Sequence, residues 1–175
     1  GYRGKYKNFK NLVIAIGKSK RILNDFKIVC FGGGKFSNEE KKLINNVLDN
    51  LHYYASVAEG NNYFNLFDED AIFFGTDATE RWNKKEFEDY ALERFEKGDG
   101  WTYTPISRNI YLNSDLNTAW FDEELDNKKY GVFRATGVLA KVNGVWKIKQ
   151  YNLLLPIPNE LLIDYSKEIK EYLKN

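Results

Sequence analysis

Residues 131–155 read GVFRATGVLAKVNGVWKIKQYNLLL, and this stretch decides the fold. Two runs with a period of two flank the dipeptide Asn143-Gly144. A two-residue Asn-Gly between alternating runs marks a tight β-hairpin, because both turn residues must adopt positive φ. Working outward, the same period extends from Trp101 to Pro156 and predicts four strands, at about 101–113, 118–126, 131–142 and 145–155. Their other turns are Asn113-Ser114-Asp115 and Asp126-Asn127-Lys128-Lys129.

Before this meander the period is helical. Ser37 with Glu40 forms a capping box for a long helix carrying Leu43, Ile44, Val47, Leu48, Leu51, Tyr54, Ala55 and Ala58, which stops at Gly60. Tyr63-Phe64-Leu66-Phe67 is a short amphipathic turn, Ala71–Gly75 a short strand and Thr76–Trp82 a polar loop. Asn83 with Glu86 makes a second capping box, for a helix ending at Gly98, and Asn159 caps a final helix. Helices first and then a run of strands predict an α+β fold with an antiparallel sheet. Further upstream, Asn8–Phe26 has helical spacing, and Lys27–Phe31 reads as a short strand that stops at Gly32-Gly33-Gly34.

Of 175 residues, 26 are Lys or Arg and 25 Asp or Glu, a net charge of +1. That balance excludes a strong global field for nucleic acid, but it hides two unlike pieces. Residues 1–44 carry a net +8 and residues 45–175 a net −7. No apolar run approaches the roughly 20 residues that span a bilayer, and Cys30 alone allows no internal disulfide or thiolate metal cluster, so a cytoplasmic setting is expected. The chain opens at Gly1 without any Met, as a fragment or processed product would.

Several motifs in order carry a resemblance. Gly75-Thr76-Asp77-Ala78-Thr79-Glu80-Arg81-Trp82, Gly100–Pro105, Thr118–Glu123, Gly137-Val138-Leu139, Gly144–Ile148, and Gln150–Leu153 with Pro156–Asn159 make residues 46–160 resemble the SnoaL-like branch of the nuclear-transport-factor-two-like superfamily. The resemblance implies a cone-shaped α+β fold in which a curved, mostly antiparallel sheet wraps a long N-terminal helix and leaves a pocket. For many members it also implies a homodimer built through the sheet. Because the fold hosts isomerases, cyclases, dehydratases and plain binding proteins, it implies no single reaction. Residues 1–44 are similar to a fragment of a group-one glycosyltransferase, through Gly1–Gly4, Tyr6–Phe9 and Ile28–Gly34. In that family a diphosphate would meet Arg3 and Lys7, but most of its fold has no counterpart here. Two domains are thus expected, a basic appendage at 1–44 and the cone at 45–175.

The chemistry-bearing residues fall into three groups. His52 lies between Leu51 and Tyr53 on the long helix, either packed with one hydrogen bond or tipped into the pocket. Asp77, Glu80, Arg81 and Trp82 crowd a loop after a strand. There Asp77 either serves as a general base shielded by Trp82 or organises the loop through backbone bonds, with Glu80 paired to an Arg and Trp82 in the core. On the sheet, alternation divides Asp122 from Glu123, and sets Trp146, Gln150 and Asn152 opposite Lys147 and Lys149, hence toward the concave interior. An inward Arg134 would need Asp122 or Glu123 as partner. Trp101, Tyr103, Trp120 and Trp146 would wall the pocket. The expected function is binding of a hydrophobic, oxygenated small molecule, with or without metal-free isomerase, cyclase or lyase chemistry. Asp122, Glu123 or Asp77 would be the base, and Arg134 with Tyr103 would meet enolate charge. No cofactor, metal, nucleic acid or membrane is called for. The alternatives are a non-catalytic homodimerising module and, more remotely, a glycosyltransferase remnant.

Overall fold

The computed structural model describes residues 14–19 and 36–174. Arg3, Lys7, Cys30 and the Gly32–Gly34 run lie outside the described residues. The chain divides into two compact units, Gly1–Glu39 and Glu40–Asn175. In the first, residues 14–17 form one helical turn.

The second unit is built on α1 (Phe36–Ser56) from Glu40 onward, α2 (Gly60–Phe64) and a six-stranded sheet with a helix α3 (Lys84–Glu96) between its strands. The strands are β1 (Phe67–Phe74), β2 (Arg81–Asn83), β3 (Thr104–Leu112), β4 (Thr118–Asn127), β5 (Gly131–Val142) and β6 (Val145–Leu154), in the order β2-β1-β6-β5-β4-β3. Only β1 and β6 run parallel; every other pair is antiparallel. The sheet is therefore mostly antiparallel, as the meander predicts, and the α+β architecture agrees with the cone that the resemblance implies. At its centre Asn143 and Gly144 have φ of 52° and 82°, the two positive values that a tight hairpin turn requires.

Besides shifted bounds, with β1 starting at Phe67 rather than Ala71, four details differ from the sequence reading. The loop 76–82 ends in strand β2, which pairs with β1. Thr76–Glu80 is in effect the turn of a short hairpin, closed by the Gly75 amide donating to the Glu80 carbonyl at 2.9 Å. At the C-terminus, α4 (Leu162–Tyr172) follows a 3-10 turn at Asn159–Leu161. Its N-cap is Leu161, without a side-chain bond, so Asn159 opens the turn rather than capping the helix.

The other two differences are register shifts. Val138 pairs with Gln150 but Leu139 with Ile148, which leaves Lys149 as an extra residue on β6. Pro105 pairs with Leu125 but Ser107 with Glu124, which leaves Ile106 extra on β3. One inserted residue flips every following side chain to the other face.

The core follows from amphipathic spacing. Ile44, Leu48, Leu51 and Ala55 form the buried stripe of α1, and they face Phe121, Leu125, Ala135, Leu139, Trp146, Ile148, Tyr151 and Leu153 of the sheet within one cluster. The Asn83–Glu86 capping box predicted for α3 is present, the Asn83 side chain accepting from the Glu86 amide and the Glu86 carboxylate accepting from the Asn83 amide.

Gly100 sets the position of the segment leading into β3. Its neighbour Trp101 donates its backbone N–H to the Ala55 carbonyl at the end of α1, at 3.0 Å. A Cβ at Gly100 would overlap that same carbonyl oxygen, and a backbone atom cannot turn aside. Gly100→Ala is expected to destabilise the fold by about 1–3 kcal/mol, as overpacking does, and to displace Trp101. Urea unfolding and Trp fluorescence measure the two effects.

Candidate functional site

Glu123 is the pivot of the interior. It projects from β4 into the core and is 1% exposed. A buried carboxylate is tolerated only when it is paired and hydrogen-bonded, and each of its oxygens has a partner. Oε1 lies 2.8 Å from His52 Nε2 on α1, and Oε2 accepts from Arg108 Nε on β3 at 2.7 Å. The Tyr151 hydroxyl on β6 reaches Oε1 at 3.5 Å. Arg108 continues outward, donating from Nη1 to Asp49 at 2.7 Å and to the Asn45 side chain at 3.0 Å. Burial alone would weaken the hold of Arg108 on its proton; Glu123 and Asp49 outweigh it and keep the guanidinium above its ordinary range.

A carboxylate oxygen accepts, so the His52 Nε2 that faces it is assigned as the N–H donor of this bond. His52 lines a small inner chamber together with Leu51, Ala55, Tyr63, Tyr103 and Tyr151. Its volume is about 20 Å³, room for one water molecule. Burial pushes the hydroxyls of Tyr63, Tyr103 and Tyr151 upward, so they are neutral donors rather than bases near neutral pH. Tyr63 also packs edge-on against the Trp101 ring, with the centroids 5.9 Å apart.

An outer cleft of about 290 Å³ adjoins this chamber and shares Phe73, Trp101, Tyr103 and Leu153 with it. That is the lower end of the size range of small-molecule pockets. One wall is a column of near-parallel rings: Tyr90 on Trp82, Trp82 on Phe87, Phe87 on Phe73 and Phe73 on Tyr151, with interplanar angles of 19°, 10°, 18° and 15°. The polar groups at the mouth are Glu80, Tyr130, Asn127 and Arg94, the last paired with Asp99 at 2.8 Å. Among the described residues no group of three or more His, Cys, Asp or Glu is placed to hold a metal ion.

The interior brings together His52, Glu123, Trp82, Trp101 and Tyr103 of the predicted residues. Glu80 borders the outer cleft, and the remaining predicted residues lie elsewhere. Arg134 is exposed and stands across from Glu124, and Asp122, on the opposite face of β4 from Glu123, accepts from the Asn109 side chain. Trp120 is exposed and stacks on Tyr111. Trp146 is buried, but its indole donates to Glu40 at 2.8 Å, away from the cleft. The Lys149 bulge turns Gln150 and Asn152 outward and puts Tyr151 and Leu153 inside. Asp77 is spent on its loop, accepting from the Thr79 amide at 2.8 Å, and those bonds from Thr79 lower its pKa. Glu80 helps to close the loop, accepting from the Asp77 amide, and also borders the cleft. Arg81 is exposed and lies over the Phe74 ring.

Sequence reasoning missed Arg108 and Tyr151. Both stand just after an inserted residue, Ile106 or Lys149, which breaks the parity of the strand. A signal was available for each. Pro105 cannot donate to a ladder and marks an edge strand or a bulge. The apolar parity of β6 changes from Trp146 and Ile148 to Tyr151 and Leu153.

Solved structures with this architecture come from diverse bacteria. A cystatin-like-fold protein of unknown function from Nostoc punctiforme aligns with TM-score 0.56 and 16% identity, over 66% of this chain and 90% of its own. A protein from Novosphingobium aromaticivorans named as a candidate scytalone dehydratase aligns with TM-score 0.58 and 16% identity, over 69% and 87%. A protein from Streptomyces avermitilis, named as a candidate dehydratase of the nuclear-transport-factor-two-like family, aligns with TM-score 0.59 and 7% identity, over 70% and 99%. At such identities the likeness shows the fold. No curated protein matches the sequence. The SnoaL-like domain matches residues 44–158, which run from within α1 past the end of the sheet and contain His52, Arg108, Glu123 and the cleft; the chain belongs to the SnoaL-like domain family.

Proposed function

We propose that the cleft binds a hydrophobic, oxygenated small molecule and that His52, polarised by Glu123, moves a proton on it without a metal. The observation that carries this reading is the 2.8 Å bond between a fully buried carboxylate and His52 Nε2, with His52 lining the small chamber that adjoins the aromatic-walled cleft. Such a carboxylate fixes the tautomer and stabilises the imidazolium that forms when Nδ1 takes a proton. Glu123, with both oxygens engaged, acts through His52 and not as the base itself. Tyr103, a neutral phenol shared by chamber and cleft, is suited to donate to an oxygen gaining enolate charge. Proton transfer at a carbon next to a carbonyl is the chemistry that isomerases, cyclases and lyases of this kind share. A reducing cytoplasm, consistent with the lone Cys30, is the proposed setting.

The probe for this reading is 2-tetralone, an aromatic ketone with acidic α-hydrogens. In D2O the protein is expected to accelerate α-H/D exchange, followed by proton NMR. His52→Gln should reduce that acceleration about 100-fold or more, within the range of general-base effects, while leaving probe binding in place. Probe binding without any His52-dependent exchange would make the protein a binding domain only. No binding of 2-tetralone or of hydroxylated naphthalenes would remove the pocket reading.

A second reading, homodimerisation through the sheet, is favoured by exposed aromatic surface on the outer face. Trp120 and Tyr111 stack there at 47% and 44% exposure, with Ile106 and Val132 exposed on the same sheet. Surface of this kind is typical of interfaces. Sedimentation analysis is expected to give a dimer that Trp120→Glu converts to monomer; a wild-type monomer at about 100 μM would exclude the dimer, a concentration that populates any complex of micromolar affinity.

A further inference from the structure

His52 and Arg108 draw on one carboxylate charge, that of Glu123. That charge is divided between the two carboxylate oxygens, with His52 on Oε1 and Arg108 on Oε2. The guanidinium is divided in turn, Nε serving Glu123 and Nη1 serving Asp49 and Asn45. Its side chain is 8% exposed, whereas that of Asp49 is 62% exposed. Arg108 Nη2 is buried with no acceptor among the described residues, so saturation of its hydrogen bonds is not what holds Arg108 inside.

We propose that Arg108 is a positioning residue that sets the proton affinity of His52, and that Asp49 is the outer end of the same relay, at the protein surface. This inference rests on the acid–base reading of His52 given above. An unpaired buried carboxylate would either take a proton itself or hold His52 permanently as imidazolium. Arg108 withdraws part of that charge, so His52 can both accept and release a proton. Asp49, pulling on the far side of the guanidinium, limits the withdrawal. The other titratable groups facing His52 are Tyr63 from α2, Tyr103 from the segment before β3 and Tyr151 from β6. All three are neutral phenols, so the charges acting at His52 come from Glu123, Arg108 and Asp49.

His52 is the one histidine of the sequence, so its ring proton gives a single NMR titration curve in the whole chain. Arg108→Met is expected to raise the His52 midpoint by about one pH unit or more, because Glu123 then bears on His52 alone. Asp49→Asn is expected to lower it by about half a unit. The Asp49→Asn shift should persist in about 0.5 M salt, which screens a direct surface interaction but not a buried relay. Asp49 is exposed, so its variant decides the matter even if Arg108→Met fails to fold. Unchanged midpoints, or an Asp49→Asn shift that vanishes in salt, would overturn the relay. Normal coupling without 2-tetralone exchange would instead sink only the general-base role, so the two failures are distinguishable.

Discussion

A carboxylate at the centre of an apolar core is the constraint on which this structure turns. An unpaired ion there would cost several kcal/mol, so Glu123 requires a donor on each oxygen. Those donors come from two other elements, His52 from the long helix and Arg108 from an edge strand. The buried pair thereby ties α1 to β4 and β3 in one register. Apolar packing alone would tolerate small slips of helix against sheet, whereas the two short bonds to one carboxylate do not. Whether the pair adds net stability over an apolar equivalent is secondary; its effect is geometric, because it holds the imidazole Nε2 against the carboxylate where His52 borders the chamber.

The cone converts that geometry into a graded interior. At its base lie the dyad and three phenols around a space the size of a water molecule. Beyond the throat of Phe73, Trp101, Tyr103 and Leu153, the cleft widens and polar groups reappear at its mouth. The ring column from Tyr90 to Tyr151 connects the two ends. Stacked rings lose little entropy on burial and support one another, so the wall is stiff without crossing hydrogen bonds. Gly100 contributes by letting the chain run against the end of α1, which sets Trp101 in place. Structure at the rim, by contrast, is local: Asp77 and Glu80 close a hairpin turn by bonds within a few residues.

Much of the architecture was legible because it depends on local rules. The Asn143-Gly144 turn, the Asn83–Glu86 box, the stripe on α1 and the four long strands each rest on short-range spacing, and each is present. Strand β2 escaped notice because three residues, Arg81–Asn83, are too few to show a period. Asn159 misled because a good capping residue can as well open a 3-10 turn when prolines precede it. Within the site, His52, Glu123, Trp82, Trp101 and Tyr103 could be named in advance, since their identity marks them wherever they point.

The sequence by itself therefore determined the fold class, the hairpin register and the supply of functional side chains, because period and turn chemistry act over a few residues. Tertiary structure alone decided which of them meet. Two single-residue bulges, at Ile106 and Lys149, invert the parity of their strands, so Arg108 and Tyr151 face the interior while Gln150 and Asn152 face out. No count along one strand reveals where its partner's register slips. For the same reason the partner of Glu123 is Arg108 and not Arg134: the choice is made by pairing across the sheet, not by order along the chain.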